Sequence, residues 1–375
     1  MADFNHLIQN IHNTSEALVI CITGGGSRAV SEMLCIPGAS RTVLEVTIPY
    51  AESALDDFLG THPESCCSQA TARAMAMVAF RRAVKLSGDW NHVLGIGCTC
   101  SLATNQTKQG SHRIHLAIQT VTSTRVDSLT LEKAVRTRNE EELVAAQLIL
   151  NRIAAAMHLD ETAAIQTYPS EQIESSMTTA PVAWQRLIRG ETFAVSDDGE
   201  ECGSKQTRRL IFPGAFNPLH QGHLSMAEIA EEKTGMPVEF ELSVENVDKP
   251  RLDYLEIEQR MQQFSHNQKV WLTAAPTFVT KSESFPNSTF VVGADTIRRI
   301  ADPQYYNNKP ELRDAAIIQI TENGCRFLVF GRQHNRTFEV LSHLDLPNTL
   351  SAICDEVSEH TFRNDVSSTQ LRPKH

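Results

Sequence analysis

Two histidines stand three residues apart in the stretch LIFPGAFNPLHQGHLSMAEIA, residues 210–230. The pattern predicts a strand ending near Phe212, a turn from Pro213 to Pro218, and a helix whose first turn holds His220 and His223. Residues at i and i+3 are neighbours on a helix face, and the free N–H groups and dipole at a helix start favour an anion. Because imidazoles can also donate hydrogen bonds, the stretch predicts a phosphate-binding site.

The surrounding residues support this hypothesis. Gly214 and Gly222 allow a ligand to approach the backbone closely. Ligands of open α/β sheets lie beyond the carboxyl ends of the strands, where this turn would be. A simpler interpretation is that the histidines only cap a helix or bind a structural metal, but the sequence offers zinc no convincing set of further ligands.

The whole stretch fits the pattern G-x-F-x-P-x-H-x-G-H at Gly214, Phe216, Pro218, His220, Gly222 and His223. This pattern resembles the signature of the nucleotidylyltransferase superfamily. The resemblance covers roughly residues 207–375 and implies a Rossmann-like, doubly wound parallel sheet. It also implies that the motif binds a nucleoside triphosphate, with the residues around the turn in contact with it: Gly214, Ala215, Phe216 and Gly222.

Two later segments follow in the order that the resemblance requires. FVVGADTIRRI, with Gly293 and Asp295, is similar to the G-A-D segment of the pyridine-nucleotide adenylyltransferases. DVSSTQLRPKH is similar to their S-S-T-x-x-R motif and supplies Ser367, Ser368, Thr369 and Arg372. Hydroxyls at a helix start and an arginine one turn later suit phosphate oxygens. Each segment alone would favour an ordinary turn or cap, but three ordered matches favour nucleotide chemistry.

The segment NVDKPRLDYLEIEQRM resembles the substrate side of the same group. The resemblance implies that Lys249 and Arg372 neutralise phosphates and that Arg260 contacts substrate, although an ordinary surface charge is an equal alternative for Arg260. A nucleotide pocket also needs an aromatic side chain for the base. Trp271 and Phe278 are candidates, and core packing is the simpler fate of either.

The resemblance is strongest to the nicotinamide or nicotinate mononucleotide adenylyltransferases. It implies that the mononucleotide phosphate attacks the α-phosphorus of ATP, and that pyrophosphate leaves. His220 and His223 would hold the triphosphate, Ser367 and Ser368 would bind its β and γ groups, and Asp295 would orient a nucleotide or the water shell of Mg²⁺. Such a reaction requires positioning and charge stabilisation, with no covalent protein nucleophile and few dedicated metal ligands.

The first half of the chain, about residues 10–158, resembles the C-terminal domain of the competence-damage-inducible protein A family through CITGGGSRAVSEMLCIPGAS and RTRNEEELVAAQLIL. Active members are nicotinamide-nucleotide amidohydrolases with a serine nucleophile and an activating lysine. Here Cys21 and Leu55 stand at those positions. Since a thiol acts as thiolate and leucine supplies no base, we predict a degenerate amidohydrolase-like site. Its residues are Cys21, Thr23, Gly24 and Gly25.

Composition limits the partners. The net charge of −11 argues against a protein that coats nucleic acid or an anionic membrane. No apolar stretch approaches the roughly 20 residues that span a bilayer. The nine scattered cysteines and the absence of a signal-like N-terminus favour a reducing, cytoplasmic setting. The Cys98-x-Cys100 pair has no second well-spaced pair, so we expect a structural role and no metal site.

Strands and helices alternate in both halves, which predicts an α/β fold with two domains. We expect the first domain over residues 1–160, a polar linker over 161–206, and the second domain over 207–375. In the first domain, ALVICITGG and HVLGIGCT read as strands, and a helix begins near Asn139 as its cap.

Three hypotheses about function stay open at this stage. The leading one is an ATP-dependent adenylyltransferase that makes NAD or its deamido precursor from a small mononucleotide. The second is a non-catalytic nucleotide sensor or scaffold, and the third is a transferase with another acceptor or with CTP. The first domain could bind a pyridine nucleotide at its glycine turn, Gly24 to Gly26, or serve only in homo-oligomer formation.

Overall fold

The structure, a computed structural model, describes residues 4–105, 109–201, 208–245, 250–334 and 337–363. Its contacts divide the chain into two compact units. The first unit comprises residues 1–185 and 248–257, and the second comprises 186–247 and 258–375.

The first unit contains a six-stranded sheet in the order β2-β1-β3-β4-β5-β6. The strands β2, β1 and β3 are parallel, and the rest pair antiparallel. The strands are β1 (Ala17–Thr23), β2 (Val43–Thr47), β3 (Val93–Ser101), β4 (His112–Gln119), β5 (Ser123–Leu131) and β6 (Ile173–Thr179). The helices are α1 (Asn5–His12), α2 (Ser27–Cys35), α3 (Ala39–Thr42), α4 (Glu52–Leu59), α5 (Gln69–Ser87) and α6 (Arg138–Ala156), and α7 (Val182–Arg189) continues into the second unit.

Both faces of this sheet are covered. Apolar residues of α1, α2 and α6 form one continuous cluster with the strands, including Ile8, Met33 and Ile149. On β3, Gly95 and Gly97 face α5, and a Cβ at either position would collide with the α5 backbone. Their missing side chains therefore let the helix lie directly against the sheet.

Two details of this unit differ from expectation. Helix α6 is capped by Thr137, whose side chain accepts from the Glu140 backbone in a capping box, so Asn139 is not the cap. The predicted linker 161–206 contributes β6 to the first sheet and β7 (Ala194–Ser196) to the second. Both are edge strands: β6 is largely exposed and accepts polar residues that obscure the alternation of a strand, whereas β7 is buried but only three residues long.

The second unit contains a seven-stranded sheet in the order β15-β12-β11-β8-β9-β10-β7, parallel except for β7. Its other strands are β8 (Leu210–Pro213), β9 (Val238–Ser243), β10 (Val270–Thr273), β11 (Thr289–Gly293), β12 (Arg326–Phe330) and β15 (Cys354–Val357). A two-stranded ribbon joins β13 (Arg332–His334) to β14 (Thr337–Glu339). The helices are α8 (Gln221–Thr234), α9 (Tyr254–Met261), α10 (Phe278–Ser284), α11 (Ala294–Ala301), α12 (Pro310–Glu322) and α13 (Asn348–Ser351), and the first half of α9 belongs to the first unit.

Alternate residues of the central strands enter cores on opposite faces of this sheet. Ile211 packs in one apolar cluster, whereas Leu210 and Phe212 pack in the other. Chain order runs outward from β8 through β9 and β10, then returns to the other side of β8 with β11 and β12. The expected α/β class and doubly wound sheet are thus confirmed, and the direction of winding switches between β8 and β11.

Candidate functional site

A cavity of about 390 Å³ opens at the carboxyl ends of β8, β11 and β12. These three strands are neighbours in the sheet, and the switch in winding lies between two of them. Crossover chains leave in opposite directions at such a point, so a crevice forms there, where open α/β sheets bind ligands. The cavity is within the range of small-molecule sites.

The two histidines line this cavity at the start of α8. His220 is the residue that caps the helix, one position before its first turn, and His223 lies in that turn. Their rings stack with centroids 3.7 Å apart. The backbone N–H of His220 donates to Nδ1 of His223 at 3.3 Å, and Nδ1 of His220 is buried with no hydrogen-bond partner among the described residues.

Burial, the neighbouring His220 and Arg332 lower the pKa of His223 to about 3. Burial and Arg332 also lower the pKa of His220. His223 is therefore neutral near pH 7. Since its Nδ1 accepts a hydrogen bond, the proton lies on Nε2, which can donate to a ligand oxygen.

The turn before α8 is shaped by aromatic packing. Phe216 has a left-handed backbone, φ +44°, and its ring contacts Phe212, Phe240 and Phe264 edge-on. A Cβ on Gly214 would lie 2.5 Å from the Phe216 ring, so glycine is required there. These contacts present the backbone of the turn to the cavity, which is also lined by Ala215 and Gly222.

Residues of α9 and of the segment after it form hydrogen bonds with the backbone of the turn. Arg260 donates to the Ala215 carbonyl at 3.0 Å. The Gln263 amide donates to the Phe216 carbonyl at 2.9 Å and accepts from the Leu219 N–H at 2.8 Å. The structure thus places Arg260 on the backbone of the turn and not among the residues that line the cavity.

The G-A-D segment forms the opposite wall. Gly293 ends β11 and caps α11, and Asp295 lies in the first turn of that helix. Asp295 pairs with Arg332 at 3.2 Å, and both side chains are exposed. Arg332 directly follows Gly331 at the end of β12, and Arg299 from α11 also lines the cavity. The cavity therefore has two arginines for a single carboxylate among its described lining residues.

Arg299 and Arg332 are site residues that the sequence did not single out. Arg332 ends the strand segment GCRFLVFGR, and its position becomes informative only when β12 is known to neighbour β11. Trp271 is fully buried and donates from Nε1 to Glu239. Phe278 packs on Phe290 and Phe327, so both candidate base-stacking residues belong to the core.

Five predicted site residues lie outside the described residues: Lys249, Ser367, Ser368, Thr369 and Arg372.

In the first unit, a carboxylate from another helix occupies the glycine turn. Glu142 of α6 accepts from the Ser27 hydroxyl at 2.9 Å and from the Arg28 N–H at 3.1 Å, at the start of α2. Arg138 donates to the Gly24 carbonyl at 2.8 Å, and a Cβ on Gly25 would meet Leu102 and Cys100. A carboxylate of this chain thus satisfies the helix start where a phosphate would bind.

The residues predicted at the positions of the nucleophile and base are buried. Cys21 is inaccessible on β1, and burial raises the pKa of its thiol far above the usual range. Leu55 is also buried, and the Thr23 hydroxyl donates to the Pro49 carbonyl at 2.8 Å. The thiol therefore stays protonated, which is the opposite of an activated nucleophile. Cys98 and Cys100 are free, with sulfur atoms 3.7 Å apart.

Residues 211–374 match the family model described as cytidylyltransferase-like. This match confirms the resemblance of the C-terminal half at the level of a nucleotidyltransferase-like domain. The family match supports a nucleotidyltransferase activity in general for residues 211–374, and the winding switch and the histidine pair lie within this range.

Solved structures similar to the N-terminal region include a competence/damage-inducible protein from Agrobacterium tumefaciens, at 20% identity and a TM-score of 0.35, covering 42% of this chain and 97% of that one. A CinA superfamily protein from Klebsiella pneumoniae is 11% identical with a TM-score of 0.31, covering 42% and 98%. One from Escherichia coli is 12% identical with a TM-score of 0.32, covering 42% and 88%. A comparison with curated proteins gave no match.

Within the described ranges, the helices include none with the length and apolar character needed to cross a membrane. The same residues contain no group of three or more histidine, cysteine or acidic side chains placed to hold a metal ion.

Proposed function

We propose that the second unit is an ATP-dependent adenylyltransferase that joins AMP to nicotinamide or nicotinate mononucleotide and releases pyrophosphate. The observation that carries this proposal is the stacked His220–His223 pair at the start of α8, facing a cavity at the switch in winding. A helix start, imidazole donors and arginines are groups that bind a polyphosphate. The ordered motifs of the sequence support the pyridine mononucleotide as the acceptor.

In this proposal, an oxygen of the mononucleotide phosphate forms a bond to the α-phosphorus of ATP. The bond from that phosphorus to the bridging oxygen breaks, and pyrophosphate leaves with the electron pair. The neutral His223 donates from Nε2 to a phosphate oxygen, and the free N–H groups of α8 face the same charge. Arg332 and Arg299 neutralise the leaving group from the other wall.

Mg²⁺ bound to the triphosphate would supply further charge neutralisation. Asp295 is the carboxylate among the described lining residues, and it is paired with Arg332. One carboxylate suits an ion that keeps most of its ligands from phosphate and water.

The cytidylyltransferase-like match favours a second candidate, a transferase that uses CTP or another acceptor. A third candidate, a non-catalytic sensor, is favoured by the closed glycine turn of the first unit. The sensor differs from both enzymes because it would bind a nucleotide without turnover.

The test measures pyrophosphate release by the full chain with ATP or CTP, Mg²⁺ and, in turn, nicotinamide mononucleotide, nicotinate mononucleotide and phosphopantetheine. We expect release with ATP and one pyridine mononucleotide. His223→Ala should lower this rate by about 10²–10³-fold, whereas His266→Ala, at an exposed position, should not change it. Pyrophosphate release only when CTP is the nucleotide, or only when phosphopantetheine is the acceptor, would support the second candidate. Nucleotide binding without any pyrophosphate release would support the sensor.

A further inference from the structure

Helix α9 belongs to both units. Residues 248–257 lie in sequence between strands β9 and β10 of the second sheet, yet they are part of the first unit, which therefore contains residues 254–257 of α9. Residues 258–261, the second half of the helix, are part of the second unit. One helix thus begins among contacts of the first unit and ends among contacts of the second.

Buried contacts hold the start of α9 in the first unit. Tyr254 is fully buried, and its ring stacks on Trp184 with centroids 6.3 Å apart. Its hydroxyl donates to the Val121 carbonyl at 2.7 Å, and its backbone N–H donates to the Thr124 hydroxyl at 3.0 Å. Leu255 packs against small side chains of α5 and the sheet: Ala72, Ala76, Ala117 and Val126. Packing and buried hydrogen bonds therefore fix the first residues of the helix.

Arg73 of α5 adds two ion pairs to these contacts. Its guanidinium lies 3.5 Å from the Asp253 carboxylate and 3.1 Å from the Glu256 carboxylate, and the three side chains are 13, 9 and 19% exposed. Asp253 also accepts from the Glu256 N–H at 3.1 Å, at the start of the helix. Removal of one partner from a mostly buried ion pair leaves the other charge uncompensated, so these pairs matter more than surface pairs.

The end of α9 contacts the turn before α8. Arg260 donates to the Ala215 carbonyl at 3.0 Å, and Gln263, two residues past the helix, donates to the Phe216 carbonyl at 2.9 Å. Glu256 and Arg260 are four residues apart, so they lie one helical turn apart on the same face of α9. A shift of the first turn of the helix would therefore reach the backbone of the turn before α8 through a continuous series of contacts.

We propose that Arg73 is a positioning residue for the turn before α8, and that it acts on this turn through α9 and Arg260. The pairs with Asp253 and Glu256 hold the first turn of the helix, and Arg260 in turn holds the Ala215 carbonyl. The expected effect on nucleotide binding rests on the proposed function of the second unit, whereas the effect on the turn itself does not.

The experiment is hydrogen–deuterium exchange of the full chain, followed by mass spectrometry of peptides that cover residues 214–220. Arg73→Gln should speed exchange in these peptides about 5-fold, the change expected when about one hydrogen bond is lost. Calorimetric titration with ATP and Mg²⁺ should show about 5–10-fold weaker binding by the same variant. Arg73→Lys keeps the positive charge and should restore part of both properties.

The matched control is Arg82→Gln. Arg82 lies on the same helix, α5, and it pairs with Glu45 of β2 at 2.7 Å. This control should change neither the exchange at residues 214–220 nor the affinity for ATP. Leu255→Ala loosens the start of α9 without removing a charge, and it should change both in the same direction as Arg73→Gln. Unfolding temperatures above the assay temperature show that each variant is folded.

A double variant, Arg73→Gln with Arg260→Gln, tests the route. Since both changes interrupt the same connection, the double variant should exchange and bind like Arg260→Gln alone. Unchanged exchange in both Arg73→Gln and Leu255→Ala, an equal effect of Arg82→Gln, or multiplied effects in the double variant would overturn the proposal. If the unaltered chain bound no ATP, the proposed adenylyltransferase would be wrong, and the exchange data would still decide the role of Arg73.

Discussion

Each unit of this protein contains a strand, a glycine-containing turn and a helix whose start could hold an anion, yet the two turns differ in what occupies them. At α2, the Glu142 carboxylate accepts from Ser27 and Arg28 and fills the position. At α8, the helix start faces a cavity and Nδ1 of His220 lacks a partner among the described residues. The two turns thus share a local geometry that suits an anion, and side chains from other elements determine whether the position is filled or open.

The largest expected effect is on the rate of pyrophosphate release, which should depend on the turn at α8 and not on the turn at α2. His220→Ala removes a cavity donor, and we expect a loss of about 10²–10³-fold in the rate of pyrophosphate release. Cys21→Ala changes the corresponding turn of the first unit and should leave the rate unchanged, because that thiol is buried and protonated. Steady-state rates of both variants test this. A comparable loss in Cys21→Ala would show that the first turn takes part in the reaction.

An intermediate effect is expected from Arg332, one of the two cavity arginines that the sequence did not single out. Arg332→Gln removes a cation from the cavity and should raise the KM for ATP about 10–100-fold, the range for a hydrogen bond to a charged group. Arg332→Lys should restore part of the affinity. The control Arg326→Gln changes the exposed other end of β12. If both Gln variants raised the KM equally, the effect would reflect net charge and not the cavity.

The smallest effect concerns the occupied turn. Glu142→Gln removes the negative charge from the start of α2 and should destabilise the protein by about 1 kcal/mol. Scanning calorimetry would detect this as a decrease of a few degrees in the unfolding temperature. Glu322→Gln, at an exposed position at the end of α12, should change it little. An unchanged temperature in Glu142→Gln would mean that the carboxylate does not stabilise the turn.

Much of the architecture could be predicted because its signals are local. The apolar run and glycine turn before His220 specify β8 and α8, and the glycine after Ser87 ends α5. By contrast, β6 has the polar sequence IESSMTT, and as an edge strand it needs few apolar residues. Its assignment to the sheet depends on pairing with β5, which is information that the segment itself does not contain.

The candidate site was predictable where a motif carries it, as for His223 and Asp295, which both line the cavity. Arg299 and Arg332 could not be predicted, because an arginine in a helix or after a strand is ordinary until the order of strands is known. The contact of Glu142 with the first turn could not be predicted either, since Glu142 and Ser27 are far apart in sequence. Residues 246–249 and 364–375 are outside the described ranges, so the roles of Lys249 and the serine–arginine motif stay predictions.

Phe216 joins the histidine motif to the interior of the second unit. Its ring packs with Phe212, Phe240 and Phe264, while its carbonyl is held by Gln263. The shape of the ligand-facing turn therefore depends in part on Phe240 and Phe264, which do not line the cavity. A substitution at Phe240 or Phe264 would therefore change the cavity at a distance, by moving the backbone of the turn.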